Sequence, residues 1–317
     1  MIAYLLKRLG LVIPIALAVS AVCFSLVYLA PGDPLSAIVP SDASKELVDQ
    51  LKKEYGLDKP IPVQYAIWLG RAAQGDLGTS IATGRPVASE IGKAIGNTLV
   101  LAFAACLVGF TLGAVFGTIA GYFNGSWVDK AVSALSVAGV SVPHYWLGMV
   151  LVIVFSVILG WLPAMGAGEG GSGDWRWDGE HLRYIILPAI TLSVIPTGII
   201  TRTVRALVAD ILSKEFVTAL VAKGLSQGAV FFHVVKNIAP TALAVMGVQL
   251  GYLMGGSILV ETVFSWPGTG FLLNTAIFQR DIPLLQGTIL VLAMFFVGLN
   301  LLVDLVQTGL DPRIRRA

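Results

Sequence analysis

The pair Gly92-Lys93 is where a nucleotide-phosphate loop would have to close. Such a loop needs a glycine five residues before Gly92 and a hydroxyl after the lysine. Its backbone N–H groups then cradle phosphate oxygens while the hydroxyl reaches Mg²⁺. Val87 and Ala94 stand at those two positions, so the pattern fails. The chain also contains no HExxH, no GxSxG and no metal-spaced Cys/His cluster. Cys23 and Cys106 both sit inside apolar runs, and read as small buried hydrophobes rather than a disulfide or metal pair. His144 is the strongly titratable side chain of the apolar runs, and it follows Pro143, where a helix should break. A proton-driven carrier needs a relay of Asp, Glu or His near mid-membrane, which these runs do not offer. What they do offer is polar without being reactive: hydroxyls, amides such as Gln249, the phenol of Tyr252 and the hydroxyl of Ser257, suited to lining a passage. No catalytic residue, cofactor or metal is expected in this chain, and any driving energy must be borrowed.

A second group of residues is suited to docking. The stretch Ser213–Ser226 reads SKEFVTALVAKGLS and lies between two apolar segments. At 100° per residue, Phe216, Val217, Leu220 and Val221 fall on one side of a helix. Glu215, Thr218, Ala219 and Ala222 fall on the other, with Lys223 at the edge, and Gly224 is placed to end the helix in the left-handed conformation. Leu225 and Ser226 complete the stretch. A greasy face can anchor this helix while the small polar face is presented outward. Two readings follow: a lever docked in a partner's groove, or an amphipathic helix resting on lipid headgroups.

The elements that position these residues are membrane spans. The chain has 317 residues, 56% hydrophobic and 13% charged, and a mean hydropathy of +0.82. Soluble domains carry about 25% charge. The formal charge of +2 and the lack of a basic block argue against nucleic acid as a partner. Six segments free of Asp, Glu, Lys and Arg approach or reach the length that spans about 30 Å of hydrocarbon. They are Leu9–Ala30, Ala94–Val128, Ala131–Gly168, Tyr184–Thr201, Asn237–Val260 and Ile282–Val303. The first is too long for a signal-peptide core and closes without a small-x-small site, so it reads as a retained span.

Lys7 and Arg8 before the first span put the N-terminus in the cytoplasm. Residues 31–93 form a polar excursion carrying two short helices. One bears Leu47, Val48, Leu51 and Tyr55, after Ser41 and up to Gly56; the other covers Val63–Gln74, opened by Pro60 and Pro62 and closed by Gly75. The loop Asn124–Lys130 has room only for a turn. Glu169–Arg183 is acidic and rich in glycine and tryptophan, which suits the outside. Arg202, Arg205, Lys214, Lys223 and Lys236 suit the inside, as does the basic tail from Asp311. The expected organisation is all-α and polytopic: residues 1–30 as tail and first span, 31–93 as a periplasmic domain, and 94–317 as the core with the remaining spans. Both termini and the helix at 213–226 are then cytoplasmic. Two glycine rows, Gly109, Gly113, Gly117 and Gly121, and Gly247, Gly251 and Gly255, would let another helix approach closely, from this chain or from a second subunit.

Several segments in this order and spacing resemble permease subunits of ATP-binding-cassette importers of the dipeptide, oligopeptide and nickel type, over nearly the whole chain. They include Lys7-Arg8-Leu9 through Ala30-Pro31-Gly32-Asp33-Pro34, then Tyr55-Gly56-Leu57-Asp58-Lys59-Pro60, Gly75-Asp76-Leu77-Gly78-Thr79-Ser80 and Gly84-Arg85-Pro86-Val87. Gly160-Trp161-Leu162-Pro163, Glu261-Thr262-Val263-Phe264-Ser265-Trp266-Pro267-Gly268 and Leu310-Asp311-Pro312-Arg313 follow. By this resemblance, Ser213–Ser226 is the coupling helix, with Ala219 and Gly224 matching the alanine and glycine of the EAA-x₃-G loop. Thr218 stands in place of its glutamate and Leu220 in place of its second alanine, and Pro240 comes early. The stretch Gly166–Gly179 is longer and richer in glycine than in the family.

The resemblance implies a subunit of the bacterial inner membrane, paired in a heterodimer with a second homologous permease. It also implies two ATP-binding subunits that hold ATP and Mg, a periplasmic solute-binding protein that delivers substrate, and lipid around the spans. Peptides, glutathione, sugars and nickel complexes are all carried by lookalikes. A stand-alone passive channel or secondary transporter is the alternative, and a membrane enzyme a distant third.

Overall fold

The computed structural model describes residues 2–29, 58–169, 171 and 175–310. Among them lie ten α-helices and one π-helical segment, with β-structure limited to two isolated bridges. The all-α expectation holds. The expected helix bearing Leu47, Val48, Leu51 and Tyr55, the Ala30–Pro34 junction and the tail from Asp311 lie outside the described residues.

The chain divides into two compact units, the first made of Met1–Gly96 and Gly268–Gly298. Here α1 (Ile2–Leu29) meets α2 (Ile61–Ala73). Pro60 opens α2 with Pro62 in its first turn, and Gly75 closes it at φ +83°, as the sequence leads one to expect. Tyr65 and Trp68 lie on one face of α2, three residues apart. Their rings pack 5.4 and 5.9 Å from the ring of Phe24 on α1, while the Tyr65 hydroxyl shares a 2.7 Å hydrogen bond with Ser20. The chain then makes a tight loop, bridged at Thr79 and Pro86 and closed by Val87 N–H donating to Gly78 O at 3.0 Å. Asp281 is buried beneath it, accepting from the Ser80 hydroxyl at 2.5 Å, Ala82 N–H at 3.1 Å and Leu284 N–H at 3.1 Å. Two stretches about 200 residues apart in sequence, Ser80–Ala82 and Asp281–Leu284, are thus tied by one carboxylate. Val87, Ile91, Ala276 and Leu284 form the apolar centre of this unit.

The second unit comprises Asn97–Pro267 and Leu299–Ala317. Helix α3 (Val87–Tyr122) leads through a four-residue turn into α4 (Trp127–Ser141), α5 (His144–Leu151) and a π-helical segment (Val152–Ile158). Next come α6 (His181–Leu212), the short α7 (Glu215–Ala222) and α8 (Gln227–Val263); α9 (Thr269–Phe278) and α10 (Ile282–Leu310) follow in the chain. Helix α6 is the axis of this unit, packing against α4, α5 and α8. Its Ile200, Val204 and Val208 interlock with Val234, Ile238 and Ala242 of α8.

The first glycine row settles on this axis. A Cβ at Gly117 would sit 2.7 Å from Thr201 O and Val204 Cβ, and one at Gly121 2.7 Å from Arg205 O and Val208 Cβ. Backbone meets backbone there, so the row serves packing within this chain. The second row divides: Gly251 is buried, whereas Gly255 faces open space.

Four helices, α3, α6, α8 and the Ile282–Val303 part of α10, are long and apolar enough to cross a membrane. Helix α4 and the α5–π pair pass the same test together but are bent by 99°. The third expected span, Ala131–Gly168, is therefore not one straight rod, because Pro143 cannot donate to the ladder and the chain turns there. Among the described residues four spans, or five with the bent pair as one crossing, stand against the six expected; the described apolar part of α1 is the shorter Ile13–Ser25. Helix bounds overrun the apolar segments throughout. Helix α3 begins at Val87 instead of Ala94, and α6 extends from His181 to Leu212 around an apolar run of Tyr184–Thr201. A charge-free window measures the hydrocarbon depth, whereas hydrogen-bonded helix continues past it. Helix α9 went unforeseen, hidden between two stronger apolar signals.

Candidate functional site

The stretch at Ser213–Ser226 forms a shorter helix than its pattern suggests, eight residues and about 12 Å at 1.5 Å per residue. Its ends explain this. Ser213 closes α6, its hydroxyl donating to Asp210 O at 2.8 Å, and Lys214 turns to an extended conformation at ψ 144°. Glu215 then stands in the first turn of α7, where its carboxylate complements the helix dipole. At the other end Gly224 N–H donates to Val221 O at 2.9 Å and Leu225 N–H to Leu220 O at 3.3 Å. That pair of bonds is a Schellman closure, which places Gly224 at φ +78° and brings Leu225 back over Leu220. Ser226 opens α8, its hydroxyl accepting from Ala229 N–H at 3.4 Å. Gly224, Leu225 and Ser226 thus set the turn that leads out of α7.

The two faces of α7 differ from the simple wheel. Val217 is buried and Leu220 half-buried, but Phe216 is 38% and Val221 60% exposed. An eight-residue helix touching one neighbouring surface buries a single narrow stripe. Beneath it runs an apolar groove of about 220 Å³, lined by Val208 and Leu212 of α6, Val217 and Val221 of α7, and Val230 and Val234 of α8. Glu215, Thr218, Ala219, Ala222, Lys223 and Gly224 all face outward. Opposite charges at the ends, small residues at the centre and two exposed apolar side chains make a shallow surface suited to docking by shape.

The three passage candidates on α8 are not brought together. Gln249 is 6% exposed, and its Oε1 has no hydrogen-bond partner among the described residues. Tyr252 faces outward, 39% exposed. Ser257 is fully buried, its hydroxyl turned onto Met254 O at 2.9 Å. At about 100° per residue the three spread over roughly 140° of the helix surface, so no single face carries them.

Two charged sites escaped the sequence reading. Glu261, just past the apolar window that ended at Val260, is still helical and wholly buried, accepting from the Thr98 hydroxyl at 2.8 Å. Trp266 Nε1 donates to Asn97 O at 3.0 Å, and Asn97 Nδ2 to Pro267 O at 2.9 Å. Glu261 lies just outside the expected span Asn237–Val260, in the last turn of α8, and is locked onto α3. Its signal was present in the Glu261–Gly268 segment.

The other site is the ion pair of Asp129 and Arg205. Arg205 Nε lies 2.6 Å from Asp129 Oδ1, and Nη2 2.7 Å from Oδ2. The signal was Ser126-x-x-Asp129, a helix-start pattern in which the Ser126 hydroxyl accepts from Asp129 N–H at 3.3 Å. On the opposite side of the sequence, Asp178 accepts from the backbone N–H and the ring of His181 before α6. The His181 backbone N–H, then its ring, hold the Asp178 carboxyl below the usual range. Among the described residues no cluster of His, Cys, Asp and Glu could hold a metal ion.

Comparison with known proteins matches residues 113–316 to the family described as binding-protein-dependent transport system inner membrane component. Residues 1–102 match the N-terminal model of such membrane components. The chain is 36% identical to a dipeptide transport system permease protein of Alkalihalophilus pseudofirmus, covering 99% of this chain and 100% of that one. It is also 36% identical to a glutathione transport system permease protein of Escherichia coli, over 99% of both chains.

Proposed function

The chain belongs to the family of binding-protein-dependent transport system inner membrane components, and from that membership we propose how it works as the permease subunit of an ATP-binding-cassette importer. It forms half of the passage, paired in a heterodimer with a second homologous permease. Two ATP-binding subunits, holding ATP and Mg, push on the exposed surface of α7 and on its counterpart. A periplasmic solute-binding protein delivers peptides or similar small solutes to the loops on the other side. The relatives' names support a peptide-like substrate, a dipeptide for one and glutathione for another.

The membrane is the bacterial inner membrane, crossed six times with both termini and α7 in the cytoplasm. The Lys and Arg bias of the short loops supports this orientation. Cysteines placed singly at the exposed Arg176 and Gln227, in a chain lacking Cys23 and Cys106, should label from outside and inside respectively. The reverse pattern would remove α7 from the compartment where ATP is hydrolysed.

Passage through this subunit is permissive. Glu261 is sealed against α3, and what α8 leaves available is the unpaired Gln249 carbonyl and the outward phenol of Tyr252. Tight binding of a charged solute at mid-membrane would need a compensating charge, since unpaired charge there costs several kcal/mol. Selection then falls to the solute-binding protein. Calorimetry on the assembled membrane complex without that protein, using transported substrates, should find binding no tighter than about millimolar, roughly −4 kcal/mol. Micromolar binding lost on changing Gln249 or Tyr252 would overturn the permissive reading.

The observation that carries the whole is a capped, outward-facing helix strung between two long apolar helices in a chain that matches permeases end to end. Purifying the tagged chain under mild conditions should bring down a second membrane subunit and ATP-binding subunits. Recovery of the chain alone, in an active transporting form, would favour a self-sufficient channel or carrier.

A further inference from the structure

The glycine seam between α3 and α6 ends at a cluster around Asp129 and Arg205. Asp129 lies in the first turn of α4 with its carboxylate 4% exposed, and Arg205 lies on α6 with its side chain 34% exposed. Arg205 grips both carboxylate oxygens through Nε and Nη2, and Nη2 also donates to Asn124 Oδ1 at 3.0 Å. Gly125 N–H donates to Asp129 Oδ2 at 2.9 Å and the Ser133 hydroxyl to Oδ1 at 3.2 Å. Each carboxylate oxygen therefore takes two donors. A planar fork on a carboxylate fixes orientation as well as distance, which an ammonium group would not do.

Position gives the cluster its meaning. Arg205 stands seven residues before the end of α6 at Leu212, about 10 Å along the helix axis, and ten residues before Glu215. Between them α6 continues unbroken to Leu212, and Ser213 and Lys214 are bonded back onto Asp210 and Ile211. A displacement of α7 therefore reaches α6 with little slack. The glycine contacts fix how closely α6 approaches α3, but packing contacts of this kind are non-directional. The fork adds a directional tie, since it anchors α6 to the turn joining α3 and α4.

We propose that Asp129 and Arg205 are positioning residues that lock α6 to the α3–α4 turn, so that a push on α7 moves α3, α4 and α6 as one body. The proposal rests on the docking reading of α7. A buried ion pair is weak evidence for stability in itself, and its best-attested use is to specify one arrangement among several.

The test uses the assembled importer in lipid vesicles, with Arg205→Lys, which keeps charge but loses the fork, and Asp129→Asn. In both variants the ATP-binding subunits should co-purify as in the parent and ATP turnover should persist. Uptake per ATP hydrolysed should fall about tenfold, within the range by which residues remote from either ligand alter coupling. Spin labels at the exposed positions Lys130 and Asp210 should hold one narrow separation in the parent with and without ATP, and a broadened one in Arg205→Lys. Unchanged uptake per ATP with partners bound would overturn the proposal. So would uptake and ATP turnover falling together in step with the amount of folded complex, or both variants failing to accumulate, since the pair would then serve stability alone. Failure of the docking reading looks different: ATP-binding subunits would be absent from the parent complex as well.

Discussion

Small residues do opposite jobs in two parts of this molecule. Along the α3–α6 seam, Gly113, Gly117 and Gly121 are small because α6 occupies the space a side chain would need: the Ile200 side chain lies 2.8 Å from a would-be Cβ at Gly113, and backbone oxygens lie 2.7 Å from one at Gly117 and at Gly121. At the end of α7, Gly224 has nothing within 4 Å of a would-be Cβ, and it is glycine because its φ is +78°. Ala219, five residues earlier, is small on an exposed surface. Space, backbone angle and surface exposure thus distinguish residues that look interchangeable on the page. The seam is a fixed internal fit, whereas α7 leaves small residues exposed, which is the basis of the docking proposal.

The contrast predicts a graded response to bulk. Gly117→Leu should be the most damaging change, because backbone atoms at 2.7 Å cannot move aside as a flexible side chain would. Overpacking of this kind costs about 1–3 kcal/mol and occasionally more. Heating the solubilised protein and following the monodisperse fraction should show earlier loss, and an unchanged profile would mean the seam is looser than described. Gly224→Val should follow, with strain of about 1–3 kcal/mol confined to the turn. The spans should keep their thermal profile while transport uncouples from ATP hydrolysis; loss of the whole fold would show that α7 is part of the core.

Val221→Ser sharpens the comparison further. The side chain is mostly exposed, so the chain's own stability should change by no more than about 0.5 kcal/mol. A measurable loss in affinity for the ATP-binding subunits would show that the exposed apolar patch belongs to their interface. Gly255→Leu should be the quietest in the isolated chain, because its surroundings are open. If it nonetheless blocks assembly with the second permease, α8 presents that face to the partner.

Much of this was legible beforehand. The apolar windows, the Pro60–Gly75 helix, the left-handed Gly224 and the outward Ala219 follow from periodicity and local backbone rules. What was missed has physical reasons. A charge-free window stops at Glu261, but a carboxylate can stay in the helix when Thr98 meets it from α3, and that pairing across 163 positions is invisible locally. The bend between α4 and α5 was hinted at by Pro143, but its 99° size depends on packing. Phe216 and Val221 were assigned to a buried face because a wheel assumes a partner on the whole apolar side. An eight-residue helix over one groove has too little neighbouring surface for that.

Docking at α7 is tested by Ala219→Glu in the tagged chain expressed with its partner subunits. The substitution adds bulk and charge at an outward position, so the variant should accumulate and retain the second permease as the parent does. The ATP-binding subunits should be lost from the purified complex, and ATP-driven uptake with them. Retention of those subunits in full amount, with normal uptake, would contradict the assignment of α7 as the helix on which they act.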